Sequence, residues 1–520
     1  MVLYFGCGAV LLGMFIRKKK NRSGNISVTI ITKADGIYRV VKSFGSSNTA
    51  QGVELLYQKA RRHLESLSQQ PSLFISNEDA LIESYLNSIQ NGQVQVKGPE
   101  LVFGKLYDHL GFCDIKEDLF RHLVIARLSY PGSKLKTIDY LYHYLSIHVT
   151  VDAIYRFLDK LQSSLKEQVE QIAFAHTKSV LKNNISVVFY DMTTLHFEAS
   201  DEDDLRKTGF SKAGKHQHPQ IYLGLLVASG GFTIGYDIFE GNIYEGNTLI
   251  PVIEKFEKKF NLSKPIVVAD AGLLSNNNTA QLEQQGYSYI LGARIKNEKN
   301  HIKQKIINAG LQDGQTMVIK NNDTTRLIVS YTTTRATKDE HNRRRGLHRL
   351  EKQIKSGRLT KSNINNKGYN KYLKMLGDVH IEIDYEKYNQ DKQWDGLKGY
   401  LTNCSLKENQ IIDHYKQLWQ IEKAFRISKT DLKIRPIYHR LRPRIEAHIC
   451  IAFVAYSIYK ELERILKKEK SHLSLKEAAE LTHTIYQLNV ILPQSKHEKS
   501  IILKMDGDQD HLIQLINKNV

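Results

Sequence analysis

The stretch SVVFYDMTTLHFE, residues 186–198, reads as a buried strand of apolar and β-branched residues, yet its apolar run ends on a carboxylate, Asp191. A second apolar run, KPIVVADAGL at 264–273, stops on an acid in the same way, at Asp270. One acid closing a strand is explained by a loop cap. Two carboxylates at strand ends repel each other unless a cation lies between them, and strand ends are where open sheets with a parallel pair gather functional side chains. Oxygen donors of this kind suit a hard divalent ion such as Mg²⁺ or Mn²⁺.

QIYLGLLVAS (220–229) and FTIGYDIFEGN (232–242) predict two further strands in an antiparallel meander with the first. A helical stretch from about Asn247 to Phe260 follows, then the strand ending on Asp270, a helix near 275–285, and the strand YSYILGA (287–293). Three strands, helix, strand, helix, strand is the order of an α/β RNase H-like core, a mixed five-stranded sheet flanked by helices. Residues 181–294 form its first part and 401–460 its last. Between them, 295–400 reads as a β-rich, basic insertion. It holds pieces such as DTTRLIVSYTT (323–333) and a segment, 335–374, with thirteen Lys/Arg against three acids, Arg343, Arg344 and Arg345 among them. Charge this dense, interleaved with Asn, Gly and Tyr, points to phosphate; the plainer alternative is a solvated face.

The 520 residues exceed what one core sustains, so several domains are expected. Lys and Arg outnumber Asp and Glu by 74 to 55, a net charge of +19 that favours a polyanionic partner, nucleic acid first. Four scattered cysteines with no C-x-x-C pair argue against a disulfide framework or zinc knuckle and for a reducing, intracellular setting. The opening run MVLYFGCGAVLLGMFI is too short to span a bilayer and carries its charge, RKKK, on the wrong side for a signal peptide. Residues 1–13 are therefore expected to be a non-native extension, with Met14 as the start. IEAHICIAFVAYSIY, from Ile445, reads as a core helix, and no membrane segment is expected.

Residues 14–50 predict a β-hairpin region turning at Asp35-Gly36, and 51–180 a mainly helical, DNA-binding region. Within the latter, 133–161 reads as two amphipathic helices with Thr150 capping the second, compatible with a helix-turn-helix or with a plain bundle. Residues 461–520 read as a C-terminal helical region.

A third carboxylate comes from a helical run, HYKQLWQIEKAFRISKTDLKIRP (414–436). Tyr415, Leu418 and Glu422 share one helix face, joined by Arg426 and, two turns on, Lys429. That face is too polar for a packing stripe alone. YDMTT (190–194), VVADAGLL (267–274) and YKQLWQIEKAFRISK (415–429), in this order, resemble the DDE transposases of bacterial insertion sequences, in the branch with a Y-x2-R-x3-E-x6-K signature. The likeness extends over about residues 180–460 and includes GFSKAGKHQHPQIYLGLLV and GYDIFEGN. FRHLVIARLSYPGSKLKTIDYLYHYL (120–145) resembles the N-terminal part of such proteins.

The resemblance implies that Asp191, Asp270 and Glu422 are a catalytic, metal-binding triad holding two Mg²⁺ ions, for which Mn²⁺ substitutes. It implies that Tyr415 and Lys429 contact phosphates of the element's ends. Leu418 stands where the signature has arginine; either Arg426 supplies that charge or it is missing. The implied function is a DNA transposase that binds terminal inverted repeats, cleaves by two-metal hydrolysis and joins the 3′-OH ends to target DNA, with a hairpin on the excised end. Double-stranded DNA and a homodimer are the implied partners, with the helical region after 441 as a candidate interface and the bacterial cytoplasm, at the nucleoid, as the setting. The alternatives are an RNase H-like endonuclease without joining and a catalytically silent DNA-binding derivative. Lys212, Lys215 and Arg206 are expected to face DNA, as are His439, Arg440 and Arg442. Trp419 reads as core or a base-stacking residue. His216 and His218 lack the spacing of a zinc site.

Overall fold

The computed structural model describes residues 14–21, 23–34, 36–68, 77–161, 163–209, 217–357, 359–365, 368–376, 380–492 and 495–520. The expected extension at 1–13 and the candidates Lys212, Lys215 and His216 lie outside these. The chain divides into two compact units, one of residues 1–93 with 490–498, the other of 94–489 with 499–520.

In the first unit β1 (Met14–Lys20), β2 (Ile26–Ala34) and β3 (Ile37–Ser47) form an antiparallel sheet. β2 and β3 join where the Asp35-Gly36 hairpin was expected, with Ala34 opposite Ile37 and Gly36 at φ +81°, a conformation glycine adopts without a Cβ clash. The third strand, β1, is missed by sequence because its RKKK run reads as solvated charge; such charge is common on an edge strand. Val28 and Ile30 of β2 pack with Val53 and Ala60 of α1 (Ala50–Ser68), and α2 (Asn77–Asn87) follows.

The second unit opens with a short strand, β4 (Val94–Val96), and the helices α3 (Lys105–His109), α4 (Asp118–Ser129), α5 (Lys134–Leu145), α6 (Val151–Lys160) and α7 (Ser163–Val180). Ser133 and Thr150 cap α5 and α6, accepting the backbone N–H of Lys136 at 3.3 Å and of Ala153 at 3.2 Å. The strands read from sequence then appear as β5 (Val187–His196), β6 (Gln220–Ala228), β7 (Thr233–Glu240), β8 (Ile266–Ala269) and β9 (Tyr289–Ala293), with α8 (Leu249–Phe260) and α9 (Asn276–Gln284) between the later ones.

The sheet has eight strands rather than the five expected. After α10 (Asn300–Asn308), β10 (Thr316–Lys320) and β11 (Arg326–Tyr331) precede a long helix, α11 (Thr333–Lys355). A small hairpin, β12 (Leu373–Leu376) with β13 (His380–Ile383), α12 (Tyr385–Lys392) and β14 (Leu397–Thr402) follow. The strand order is β10-β11-β14-β9-β8-β5-β6-β7, so three strands of the expected insertion extend the main sheet. Pairing explains it: Leu327 and Val329 of β11 pack with Ile295, Ile306 and Ile319, and β14 runs antiparallel to β9, Gly399 opposite Ala293. The basic segment, read as part of a β-rich insertion, is mostly the helix α11. Its buried positions are Arg343, Gly346 and Leu350, too narrow an apolar stripe to signal a helix.

α13 (Glu408–Lys416) and α14 (Trp419–Thr430) precede α15 (Arg442–Lys468), α16 (Leu475–Leu481), β15 (Tyr486–Ile491), β16 (Glu498–Ile502) and α17 (Gly507–Asn519). α15 is the expected core helix, buried along most of its length in a cluster that takes in Phe120, Phe157, Phe425 and the sheet residues Phe189 and Leu225. β15 pairs with β4, placing strands in stretches read as helical. No helix of the described residues is long and apolar enough to cross a membrane.

Candidate active site

β5 and β8 run parallel, and their register ends with Tyr190 opposite Ala269, so the next residues, Asp191 and Asp270, follow side by side. Asp270 directly follows β8, whereas Asp191 lies within β5, which runs on to His196, so the expected pair of strand ends is one acid inside a strand beside one just past its end. Asp191 is half-buried, with Oδ1 accepting the Met192 N–H at 2.7 Å; Asp270, just past its strand, is exposed.

Asp191 shares a face of β5 with Phe189, Thr193 and Leu195, by the period-2 alternation of a strand. That face meets α14, whose Ile421, Ala424 and Phe425 pack into the core beneath it. The Lys429 ammonium donates to the Thr193 hydroxyl, two residues from Asp191. Glu422, on the same helix, is exposed and lines a cavity of about 850 Å³ together with Asp270, Tyr415, Leu418, Lys398 and Arg335.

The helical run carrying Tyr415 and Glu422 is bent rather than continuous. α13 ends at Lys416 and α14 begins at Trp419, but Gln417 and Leu418 keep right-handed helical angles, and the Gln420 N–H bonds the Gln417 carbonyl at 2.9 Å. The tight joint preserves the shared face. Tyr415 is buried at the cavity wall, its ring edge-on to Tyr400 at 5.0 Å. A Cβ at residue 292 would stand 2.5 Å from the Tyr415 hydroxyl, so glycine at that position of β9 is what admits it. Burial pushes the phenol up, and the nearby carboxylates of Asp270 and Glu422 push it further.

Lys398, on β14, points its ammonium at the Tyr415 ring, 4.3 Å from the centroid. Burial pulls its pKa down, with Arg335 adding to the effect, while Asp270 and Glu422 oppose it. Lys398 and Arg335 come from the stretch read as an insertion, which is why sequence spacing did not find them. Glu245 was missed too: a Cβ on Gly272 would lie 3.6 Å from its Oε2 and 4.0 Å from the Asp270 Oδ2, so both carboxylates flank that glycine.

Leu418 is buried, and Arg426 is exposed and does not line the cavity. Arg206 is buried, bonded to Asp203 at 2.6 Å, so it does not face DNA as expected; Asp203 neutralises it within the fold. Arg343 is likewise turned inward onto Asp395, its guanidinium 4.8 Å from the Tyr388 ring. Arg344 and Arg345 are exposed. Arg345 belongs to an open basic surface with His348, Arg349 and Lys352. Trp419 is not core: it is 48% exposed and lines the cavity.

The all-oxygen donor set of Asp191, Asp270 and Glu422 suits a hard divalent ion. As the side chains stand, no three His, Cys, Asp or Glu among the described residues are gathered closely enough to hold one.

The family described as Transposase DDE domain matches residues 182–458, more than half of the chain. Among curated proteins the chain matches none. Among solved structures it is similar to the synaptic complex of piggyBac transposase with hairpin DNA, at a TM-score of 0.38 and 11% identity, over 70% of this chain and 69% of that one.

Proposed function

The chain belongs to the transposase DDE domain family, and from that premise we propose that it is the DNA transposase of an insertion sequence, built on an RNase H-like core with Asp191, Asp270 and Glu422 as its catalytic carboxylates. The observation that carries this reading is their placement. Register sets Asp191 beside Asp270, and Asp270 shares one cavity with Glu422.

Asp191, Asp270 and Glu422 would hold the Mg²⁺ ions, or Mn²⁺ in their place. Bound there, the ions supply activation of a water or 3′-OH nucleophile and stabilisation of the leaving oxyanion. The chain's own residues do the rest. The sheet and α14 hold the acids on rigid elements. Lys398, Arg335 and Lys429 bring positive charge to the phosphodiester as its backbone enters. Arg344 and Arg345, on the exposed face of α11, extend that charge along the duplex, and Trp419 at the cavity offers a stacking surface for a base freed from it.

Hydrolysis at each end of the element frees a 3′-OH, which attacks target DNA; a hairpin on the excised end belongs to the same scheme. Two ends held together call for a homodimer on double-stranded DNA.

The test uses the full chain with Mg²⁺ and duplexes carrying the element's ends. Asp191→Asn, Asp270→Asn and Glu422→Gln are each expected to abolish cleavage while end binding persists. Full cleavage by any one of them removes that residue from the triad. Pre-cleaved ends that are never joined to a plasmid would make the protein a nuclease instead.

A further inference from the structure

Five Lys and Arg residues are buried among the described residues: Arg127, Lys134, Arg206, Arg343 and Lys460. Three of them meet a carboxylate, Arg206 on Asp203, Arg343 on Asp395 and Lys460 on Glu463. Arg127 and Lys134 do not. Arg127, on α4 and 5% exposed, donates to the Leu432 carbonyl at 3.4 Å. Lys134, the first residue of α5 and 7% exposed, has no acceptor or ion-pair partner among the described residues.

Two imidazoles complete the cluster. His448 of α15 is buried, with Nε2 on the Ile434 carbonyl at 2.9 Å and Nδ1 buried without a partner. The His439 ring lies 5.5 Å from it. Burial, then Lys134 and Arg127, push the His439 pKa down to about 4, and the same influences lower His448. Asp159, the acid that acts on His439, is committed to Arg444 through two bonds of 2.6 and 2.8 Å. Burial, then the Arg127 charge, holds the Lys134 pKa well below the ordinary lysine value as well, the response of a basic group buried with no carboxylate beside it.

We propose that Arg127, Lys134, His439 and His448 form a receptor for one phosphate of a DNA backbone, an inference that rests on the DNA-binding reading above. The rim favours a nucleic acid over a small free anion. Tyr438, beside His439, is 70% exposed, Tyr130 is 44% exposed, and the cations Lys433 and Arg440 are exposed on the same segment. The receptor is also tied to the catalytic strand, because the Ile437 N–H bonds the His196 carbonyl at 3.2 Å, five residues along β5 from Asp191. At about 3.4 Å per strand residue that is roughly 17 Å.

The experiment measures binding of a mixed-sequence DNA duplex to the full chain as a function of salt, with thermal unfolding alongside. For Lys134→Met, and for Arg127→Gln, the slope of log affinity against log salt is expected to flatten by about one. Lys134→Met is expected to melt at or above the wild-type temperature, because a buried amine without a carboxylate partner is gone. An unchanged slope, or a lower melting temperature for Lys134→Met, overturns the receptor. Inorganic phosphate is the second probe: if it raises the wild-type melting temperature while Lys134→Met leaves the DNA slope intact, the cluster is a free-anion site and the DNA assignment fails. A wild-type chain that does not bind the duplex overturns the DNA-binding reading itself, and the receptor with it.

Discussion

Lys398 holds its ammonium 4.3 Å from the centre of the Tyr415 ring, on the wall of the cavity that Asp270 and Glu422 share. Leu418, at the position where the resembling signature carries arginine, is buried, and Arg426 stands away from the cavity. Among the cations lining that cavity are Lys398 on β14 and Arg335 on α11, both acting on the Tyr415 phenol or its neighbours. A cation delivered from the sheet can face the same phosphate as one delivered from the helix.

Lys398→Met should therefore weaken cleavage of end-bearing duplexes by roughly ten- to hundredfold in kcat/KM, the effect of losing one contact to a charged group. Lys398→Arg should retain most of the activity. Steady-state cleavage assays check both, and equal activity in the Met variant removes Lys398 from the site.

Gly292→Ala should destabilise the chain by about 1–3 kcal/mol, because the added methyl would stand 2.5 Å from the Tyr415 hydroxyl and 3.0 Å from the Ala271 nitrogen. Removing the hydroxyl relieves the first clash, so Gly292→Ala with Tyr415→Phe should recover part of the loss. Denaturant unfolding of the two single variants and the double variant closes the cycle. Strict additivity would mean that the hydroxyl is not what the glycine accommodates.

Acid should unfold the core in two stages traceable to one cluster. Glu461 of α15 is fully buried; burial alone would raise its pKa, but bonds from Arg464 and His176 hold it at about 2. A depressed carboxylate contributes stability above its unfolded value near 4.3, and loses it as pH falls toward 2. His109, beside Glu461, is pulled down chiefly by burial, so the unfolded chain takes up its proton first, below about pH 6.5. Glu461→Gln should cost about 3–5 kcal/mol at neutral pH and flatten the lower part of the stability–pH profile, measured by urea unfolding between pH 7 and 3. A parallel, merely shifted profile would assign the acid sensitivity elsewhere.

Asp191 and Asp270 are legible because the runs before them are nearly all apolar, as buried parallel strands are, which makes an acid after such a run conspicuous. The faces of α13 and α14 were legible from helical spacing, which survives the bend at Gln417. What sequence hid was non-local. β14 joins the sheet through pairing with β9 across more than a hundred residues, β11 in turn pairs with β14, and nothing in DTTRLIVSYTT names its partner. Lys398 looks like any strand lysine until that pairing sets it over Tyr415. Arg206 and Arg343 looked like DNA contacts because their carboxylates, Asp203 and Asp395, are recognised as partners only in the folded chain.

Glu463 of α15 accepts from Lys423, Lys460 and Lys467 at 2.5, 2.8 and 2.6 Å. Lys423 directly follows Glu422, so this carboxylate fastens α14 to the core helix at the turn that carries the proposed catalytic acid. Burial raises the Glu463 pKa, but the lysine bonds outweigh it and hold it at about 2, so the fastening is intact at neutral pH. Glu463→Gln strands the buried Lys460 and the largely buried Lys423, while Lys467 stays in water, and should cost about 3–5 kcal/mol. Lys423→Met leaves Glu463 two lysines and should cost less, yet it frees the turn beneath Glu422. Its expected signature is a cleavage rate reduced tenfold or more with DNA affinity unchanged and only a small drop in melting temperature. Affinity and rate falling together would place Lys423 on the DNA rather than under the acid.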